Sequence, residues 1–310
     1  MAALQRFKTG ADAVLSLGPA QRLALRGAGR LGRDLVFLWH RVRPEGGTPN
    51  EVVPSVSVAT FKAQLDELRQ LGRIVPLAAL QAPSADPAPR FALTFDDDDE
   101  GHSRWTLPAL QQRGLSATFF LSGRWLHDDG PYWWEHLEQE IRDAGPGVVA
   151  RRHRLPDDLT AAGIAQRLTG TRAAWELREG SIRRGRPPMT EGSARRLVEA
   201  GMEIGFHTRH HDVLPLLKGP ALTEALTDGR RQLEDALGVC TQQFAYPHGR
   251  ADARVAAATA AAGFQQAWTT TKVRARRDDP PMLRGRWDLA TLSVDDLRRR
   301  VLRALVRLRD

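Results

Sequence analysis

Cysteine is nearly absent. Cys240 is the only one in 310 residues, so neither an intrachain disulfide nor a cysteine-based zinc cage can form. Long apolar runs are missing too. The longest uncharged stretch, residues 255–271, is 17 residues rich in Ala and Thr and contains Gln265 and Gln266, which is too short and too polar for a membrane span. The N-terminus shows no compact apolar stretch and no small-residue cleavage site, so the expected location is cytoplasmic. Net positive charge is missing from the body of the chain. Residues 1–33 carry +5 and residues 272–310 carry +6 out of a net +8, leaving 34–271 at −3. A nucleic-acid reader carries its basic residues on a folded face, so nucleic acid is not an expected partner. Basic ends fit either solvated arginine or a peripheral contact with an anionic membrane surface.

What is present is an α/β pattern. Short apolar runs at 34–39, 74–77, 90–95, 115–121, 202–206, 244–246 and 264–269 read as strands. Between them lie helical spacings, such as Phe61, Leu65 and Leu68 before the stop at Gly72, and a helix after Ser103 that runs to Arg113. Residues 128–200 are charge-rich and helix-like. A final helix opens at Ser293 with acids first and arginines later, the polarity favoured by the helix dipole. Strands alternating with helices predict a mostly parallel sheet or barrel.

In such folds functional groups collect just past the C-terminal ends of strands. Four predicted strands end in groups of this kind: His40; Asp96-Asp97; His207-Thr208-Arg209-His210-His211; and Tyr246-Pro247-His248-Gly249. His207 and His211, four apart, share a face in a helical turn or an extended segment, and two imidazoles plus a carboxylate form a metal site with open positions. His210 is expected to point elsewhere. Four consecutive aspartates, Asp96 to Asp99, repel one another and call for counter-charge, which a divalent cation can supply. Strand alternation turns Asp96 and Asp97 to opposite sides, which suggests separate roles.

Thr94-Phe95-Asp96-Asp97, then His207-Thr208-x-x-His211, then Phe244-Ala-Tyr-Pro-His-Gly249 resemble the successive motifs of polysaccharide deacetylases, the NodB homology domain of carbohydrate esterase family four. Trp39-His40-Arg41-Val42, Ala117-Thr-Phe-Phe-Leu121, Trp133-Trp-Glu135 and Gly201-Met-Glu-Ile-Gly-Phe-His207 extend the likeness over about residues 34–290. The resemblance implies a distorted (β/α) barrel of about seven parallel strands over residues 34–290; charge and composition add a helical insertion at 128–200, a basic N-terminal helical segment at 1–33 and a basic amphipathic helix at 291–310. It implies a metal-dependent deacetylase acting on an N-acetylated sugar of the N-acetylglucosamine type, polymeric or lipid-linked, in surface-polysaccharide synthesis.

Carried over by position, Asp96 matches the base, Asp97, His207 and His211 the ligands of one divalent ion (zinc, or cobalt or another transition metal), and the His248 amide the oxyanion donor. No His follows His248, so the acid is expected from the first strand, as in permuted members, at His40. Three departures stand out: Asp98 replaces a Gly, Ala245 replaces an Arg that orients the base, and His248 replaces a Tyr. Arg286 can substitute for the missing Arg or form a surface salt bridge. His102 can join the site or merely precede a helix cap, and Tyr246 is a further accessory candidate. Trp133 and Trp134 read as core rather than as stacking platforms. The alternative on the same fold is a catalytically impaired carbohydrate-binding relative. A non-haem iron oxygenase, also built on two His and a carboxylate, leaves Asp96 and His40 without roles.

Overall fold

The structure is a computed structural model that describes residues 34–127, 130–179, 188–272 and 279–306. The basic segment expected at 1–33 and residues 307–310, expected to end the C-terminal helix, lie outside the described residues.

Strands β1 (Leu35–Trp39), β4 (Arg73–Ile74), β5 (Arg90–Asp96), β6 (Thr118–Leu121), β7 (Glu203–Phe206), β8 (Gln243–Ala245), β9 (Gln266–Trp268) and β10 (Trp287–Asp288) form one sheet. A small second sheet joins β2 (Arg41–Arg43) to β3 (Ser55–Ser57). The order of the main sheet is β10-β1-β5-β6-β7-β8-β9, every pairing is parallel, and β4 adds to the start of β5. These seven strands curl into a half-barrel with helices outside it, the expected NodB-like (β/α) barrel. Its central strands are buried on both faces, as a parallel sheet covered by helices requires, so β1 and β5 read as apolar runs rather than alternating ones. Arg90, at the buried start of β5, is neutralised by Asp34 through contacts of 3.1 and 2.7 Å.

The helix carrying Phe61, Leu65 and Leu68, α1 (Val58–Leu71), begins three residues before its apolar stripe because Ser57 caps it, accepting from the Thr60 amide. The C-terminal helix α2 (Val294–Val306) lays Leu297, Val301 and Leu305 into the same core. Arg298 grips Glu67 on α1 with two contacts of 2.6 Å. The apolar face of this helix is therefore covered by protein, and what it presents outward is Arg299, Arg300 and Arg303. No helix among the described residues is long and apolar enough to cross a membrane.

Four helices, Trp133–Ala144, Pro146–Arg152, Ala161–Leu168 and Arg172–Glu179, build a separate apolar cluster around Leu137, Ile141, Val149, Ile164 and Leu168. Buried Arg41 on β2 ties this layer to the barrel through Glu138 at 2.6 Å. The next helix, Glu191–Glu199, buries Ala194 and Leu197 in the barrel's own core, so it packs with the barrel rather than with the four inserted helices.

Candidate active site

The four strand ends picked out in the sequence converge. His40 after β1, Asp96 and Asp97 at the end of β5, His207 and His211 after β7, and His248 and Gly249 after β8 line one cavity of about 320 Å³. Trp133, Trp134, Ala162 and Gln166 from the inserted helices close its side. Parallel strands bring this about, because their C-terminal ends all lie at the same edge of the sheet.

The backbone bends to make the convergence possible. Five described non-glycine residues have positive φ, and four of them, Asp97 (71°), Thr208 (58°), His211 (54°) and His248 (57°), are at this site. Such conformations cost roughly 1–3 kcal/mol each and persist where the surroundings over-determine them. At Asp97 the left-handed turn cancels the expected alternation. Its carboxylate comes round to the side of Asp96, and Asp97 Oδ1 lies 3.7 Å from His207 Nε2 and 3.5 Å from His211 Nε2. The two histidines meet through a folded-back loop, neither helical nor extended, in which the His211 amide donates to Thr208 Oγ1 at 3.1 Å. His210 turns away, to within 3.6 Å of Asp228.

Asp97, His207 and His211 each offer a ligand atom, and these atoms lie within 4.8 Å of one another. His207 Nδ1 is 2.8 Å from the Ala245 carbonyl, which holds Nε2 toward the cavity, the second contact usual for a metal-binding imidazole. Asp97 Oδ1 and His211 Nδ1 are buried without a hydrogen-bond partner. Two imidazoles and one carboxylate with an unsatisfied oxygen fit a divalent transition metal. Burial, with the neighbouring carboxylates of Asp96 and Asp98 added and His40 and Arg41 opposing, pushes Asp97 up to about 7. Burial likewise holds the His207 ring down to about 4, the neutral form that ligation requires.

Asp96 differs. Burial raises its carboxyl, but Arg286 and His207 outweigh that and hold it at about 2. Arg286 is completely buried and grips both oxygens, at 2.6 and 2.7 Å, so the surface salt bridge admitted from the sequence is excluded. It arrives from beside β10 and takes the orienting place left open by Ala245.

The other two aspartates face away from this cavity. Asp98 accepts from the Ser122 amide at 2.8 Å and the Arg124 amide at 2.9 Å, stapling the loop after β6 to the loop after β5. Asp99 grips Arg43 through both oxygens. The counter-charge expected for the aspartate run is thus supplied by the protein for Asp96 and Asp99 and by main-chain amides for Asp98. Only Asp97 is left to a cation.

Three accessory expectations are revised. His102 is fully buried in a π-helical turn, His102–Thr106, with Nε2 3.0 and 3.1 Å from the carbonyls of Asp96 and Asp97. It props the backbone of both aspartates from behind rather than joining the cavity or preceding a cap, and Ser103 lies inside the turn, accepting from Arg196. Tyr246 is buried against Phe244 and donates its hydroxyl to the Met282 carbonyl at 2.8 Å, away from the cavity. Trp133 and Trp134 are not simple core, because both line the cavity. Trp134 stacks on Tyr132 at 4.2 Å and meets the His211 ring edge-on at 4.5 Å, while Arg124 covers the outer face of Tyr132. Gln166 and the amide-binding role of Asp98 gave no signal in the sequence, since each depends on contacts remote along the chain.

A family model described as polysaccharide deacetylase matches residues 84–267. No curated protein matches the sequence. Among solved structures, the Streptococcus pyogenes deacetylase PplD, in complex with acetate, is 16% identical with a TM-score of 0.59 over 88% of this chain and 98% of that one. IcaB from Ammonifex degensii is 21% identical with a TM-score of 0.58 over 89% and 97%. A de-N-acetylase from Aggregatibacter actinomycetemcomitans is 14% identical with a TM-score of 0.56 over 86% and 99%. At these identities the likeness is one of fold. The family model spans more than half of the sequence, and the protein therefore belongs to the polysaccharide deacetylase family of hydrolases.

Proposed function

We propose that the protein is a metal-dependent N-deacetylase that removes the acyl group from an amino sugar of the N-acetylglucosamine type. The observation that carries this reading is the cluster of Asp97, His207 and His211 ligand atoms within 4.8 Å, in a cavity that also holds Asp96 and His40. A divalent cation held by these three residues, zinc in this proposal, supplies Lewis-acid polarisation of the acyl oxygen and a more acidic water.

The rest falls to the chain's own groups. Asp96, kept ionised by Arg286, takes the proton from the attacking water, a role worth typically ~10²–10⁴-fold. The main-chain amide of His248 donates to the oxygen of the tetrahedral intermediate. His40 delivers a proton to the departing nitrogen, which could not leave as an amide anion. Trp134 and the inserted helices keep bulk water from the acyl carbon. The products are a carboxylate and a free amino sugar.

Asp98, a departure from the family pattern, is occupied in holding the loop after β6, so it takes nothing from the cavity and favours turnover over the impaired binding relative. A cytoplasmic, lipid-linked substrate at an anionic membrane surface is the finer form of the proposal. Exposed Arg299, Arg300 and Arg303 support it, and failure of the full chain to float with anionic liposomes would remove it.

The decisive test is release of acetate and free amine from N-acetylglucosamine oligomers, with added zinc or cobalt, beside chelator-treated protein and Asp96→Asn. Metal-dependent release lost in the variant is expected. Release that survives both treatments would sink the mechanism.

A further inference from the structure

A second cavity, of about 190 Å³, adjoins the first, and Trp133, His211 and His248 line both. The two differ in what else they contain. His40 and Asp96 line only the larger one. The smaller has apolar side chains, Ala174, Val213, Leu216 and Leu217 with Trp133, beside the polar Thr171, His210 and Asp212. Its lip is Leu216, 61% exposed, the most open large apolar side chain among the described residues. Gly170 beneath it has a left-handed φ of 78°, and a Cβ there would come within 2.8 Å of Leu216 Cδ1.

On the reading proposed above, the direction of the substrate follows. The acyl carbon lies beside His211 and the His248 amide, where both cavities meet. Its nitrogen must reach His40, so the amino sugar occupies the larger cavity. The remaining substituent of that carbon, the alkyl part of the acyl group, diverges from the nitrogen and enters the smaller cavity along its apolar side chains. A methyl group fills little of it: 190 Å³ corresponds to roughly six water-sized groups at ~30 Å³ each.

We propose that the smaller cavity is an acyl-chain site and that the enzyme hydrolyses N-acyl amino sugars with chains longer than acetyl. Water adds to the acyl carbon, the C–N bond breaks, the nitrogen takes up a proton, and the acid leaves as a short-chain carboxylate.

The test is a series of N-acetyl-, N-propionyl-, N-butyryl- and N-hexanoylglucosamine oligomers assayed by free-amine release from the full chain with zinc. We expect kcat/KM to rise about fourfold per added methylene up to butyryl, the increment that burial of one CH2 group provides. In Leu216→Asp, a change at an exposed position, and in Ala174→Leu, which narrows the cavity, the butyryl-to-acetyl ratio is expected to fall toward one. Calorimetric binding of butyrate against acetate gives a readout independent of turnover, with butyrate tighter by about sixteenfold, two such methylene increments. Acetyl hydrolysed with propionyl and butyryl at least tenfold slower would overturn the acyl-chain site and leave the deacetylase reading standing. A flat chain-length series with kcat/KM rising with oligomer length, and that rise lost in Leu216→Asp, would overturn it in favour of a sugar ring. Absence of turnover on every member would refute the deacetylase reading instead, and equal binding of butyrate and acetate would then overturn the acyl-chain site as well.

Discussion

Asp96 and Asp97 on one side, and Asp98 and Asp99 on the other, are four identical residues in a row with different fates. The first two end a strand at the mouth of the cavity. The second two are fasteners, one to the amides of Ser122 and Arg124 and one to Arg43. Within the first pair the contrast sharpens: Asp96 is closed by a guanidinium and held at about 2, whereas Asp97 keeps an unsatisfied oxygen and is pushed to about 7. Side-chain chemistry is the same throughout. What differs is the counter-group each meets, and that group comes from a different part of the fold each time.

Substitutions along the run test this division. The largest effect is expected for Asp96→Asn, which removes the proton acceptor and lowers turnover by ~10²–10⁴-fold in an amine-release assay. Turnover within a few-fold of the parent would move the base elsewhere. Next is Asp97→Asn. Zinc at about a hundred times its Kd should stabilise the parent by about 2.7 kcal/mol, seen as a rise in Tm, and this rise should largely vanish in the variant; an undiminished rise would place the ion elsewhere.

Asp98→Ala should do the reverse, leaving the zinc-induced rise intact while costing about 2 kcal/mol of stability in denaturant unfolding, because two buried amides lose their acceptor. A loss of the zinc effect in Asp98→Ala would blur the division between the pairs. The smallest change is expected for Asp99→Asn, about 1 kcal/mol, because the amide oxygen that replaces the carboxylate can still accept from Arg43 and from the Gly101 amide.

Much of the site was legible because it is written in strand ends. Apolar runs stopping at His40, Asp96, His207 and Tyr246 mark the catalytic edge of any parallel sheet, so the residues just beyond them must lie near one another whatever the loops do. The contribution of Arg286 was half legible, since a buried guanidinium beside a carboxylate is plausible, but its partner is 190 residues away. His102 misled because its position just before Ser103 suggests a residue that precedes a cap, whereas the π-helical turn swings the ring beneath the aspartate carbonyls. The tryptophans misled because an apolar residue in a helical insertion usually faces that insertion's own core, and here the helix Trp133–Ala144 lies over the cavity.

By itself the sequence determined the class of fold and which side chains stand at strand ends as candidates for the site, because apolar periodicity and residue type are local properties. Only the tertiary structure decided which aspartate is paired and which is open, that both turn to one side, that His102 supports rather than binds, and that a second cavity with apolar side chains on it adjoins the first. Those outcomes depend on left-handed backbone angles and on contacts between distant segments. Both are fixed by packing across the molecule, which no window of sequence contains.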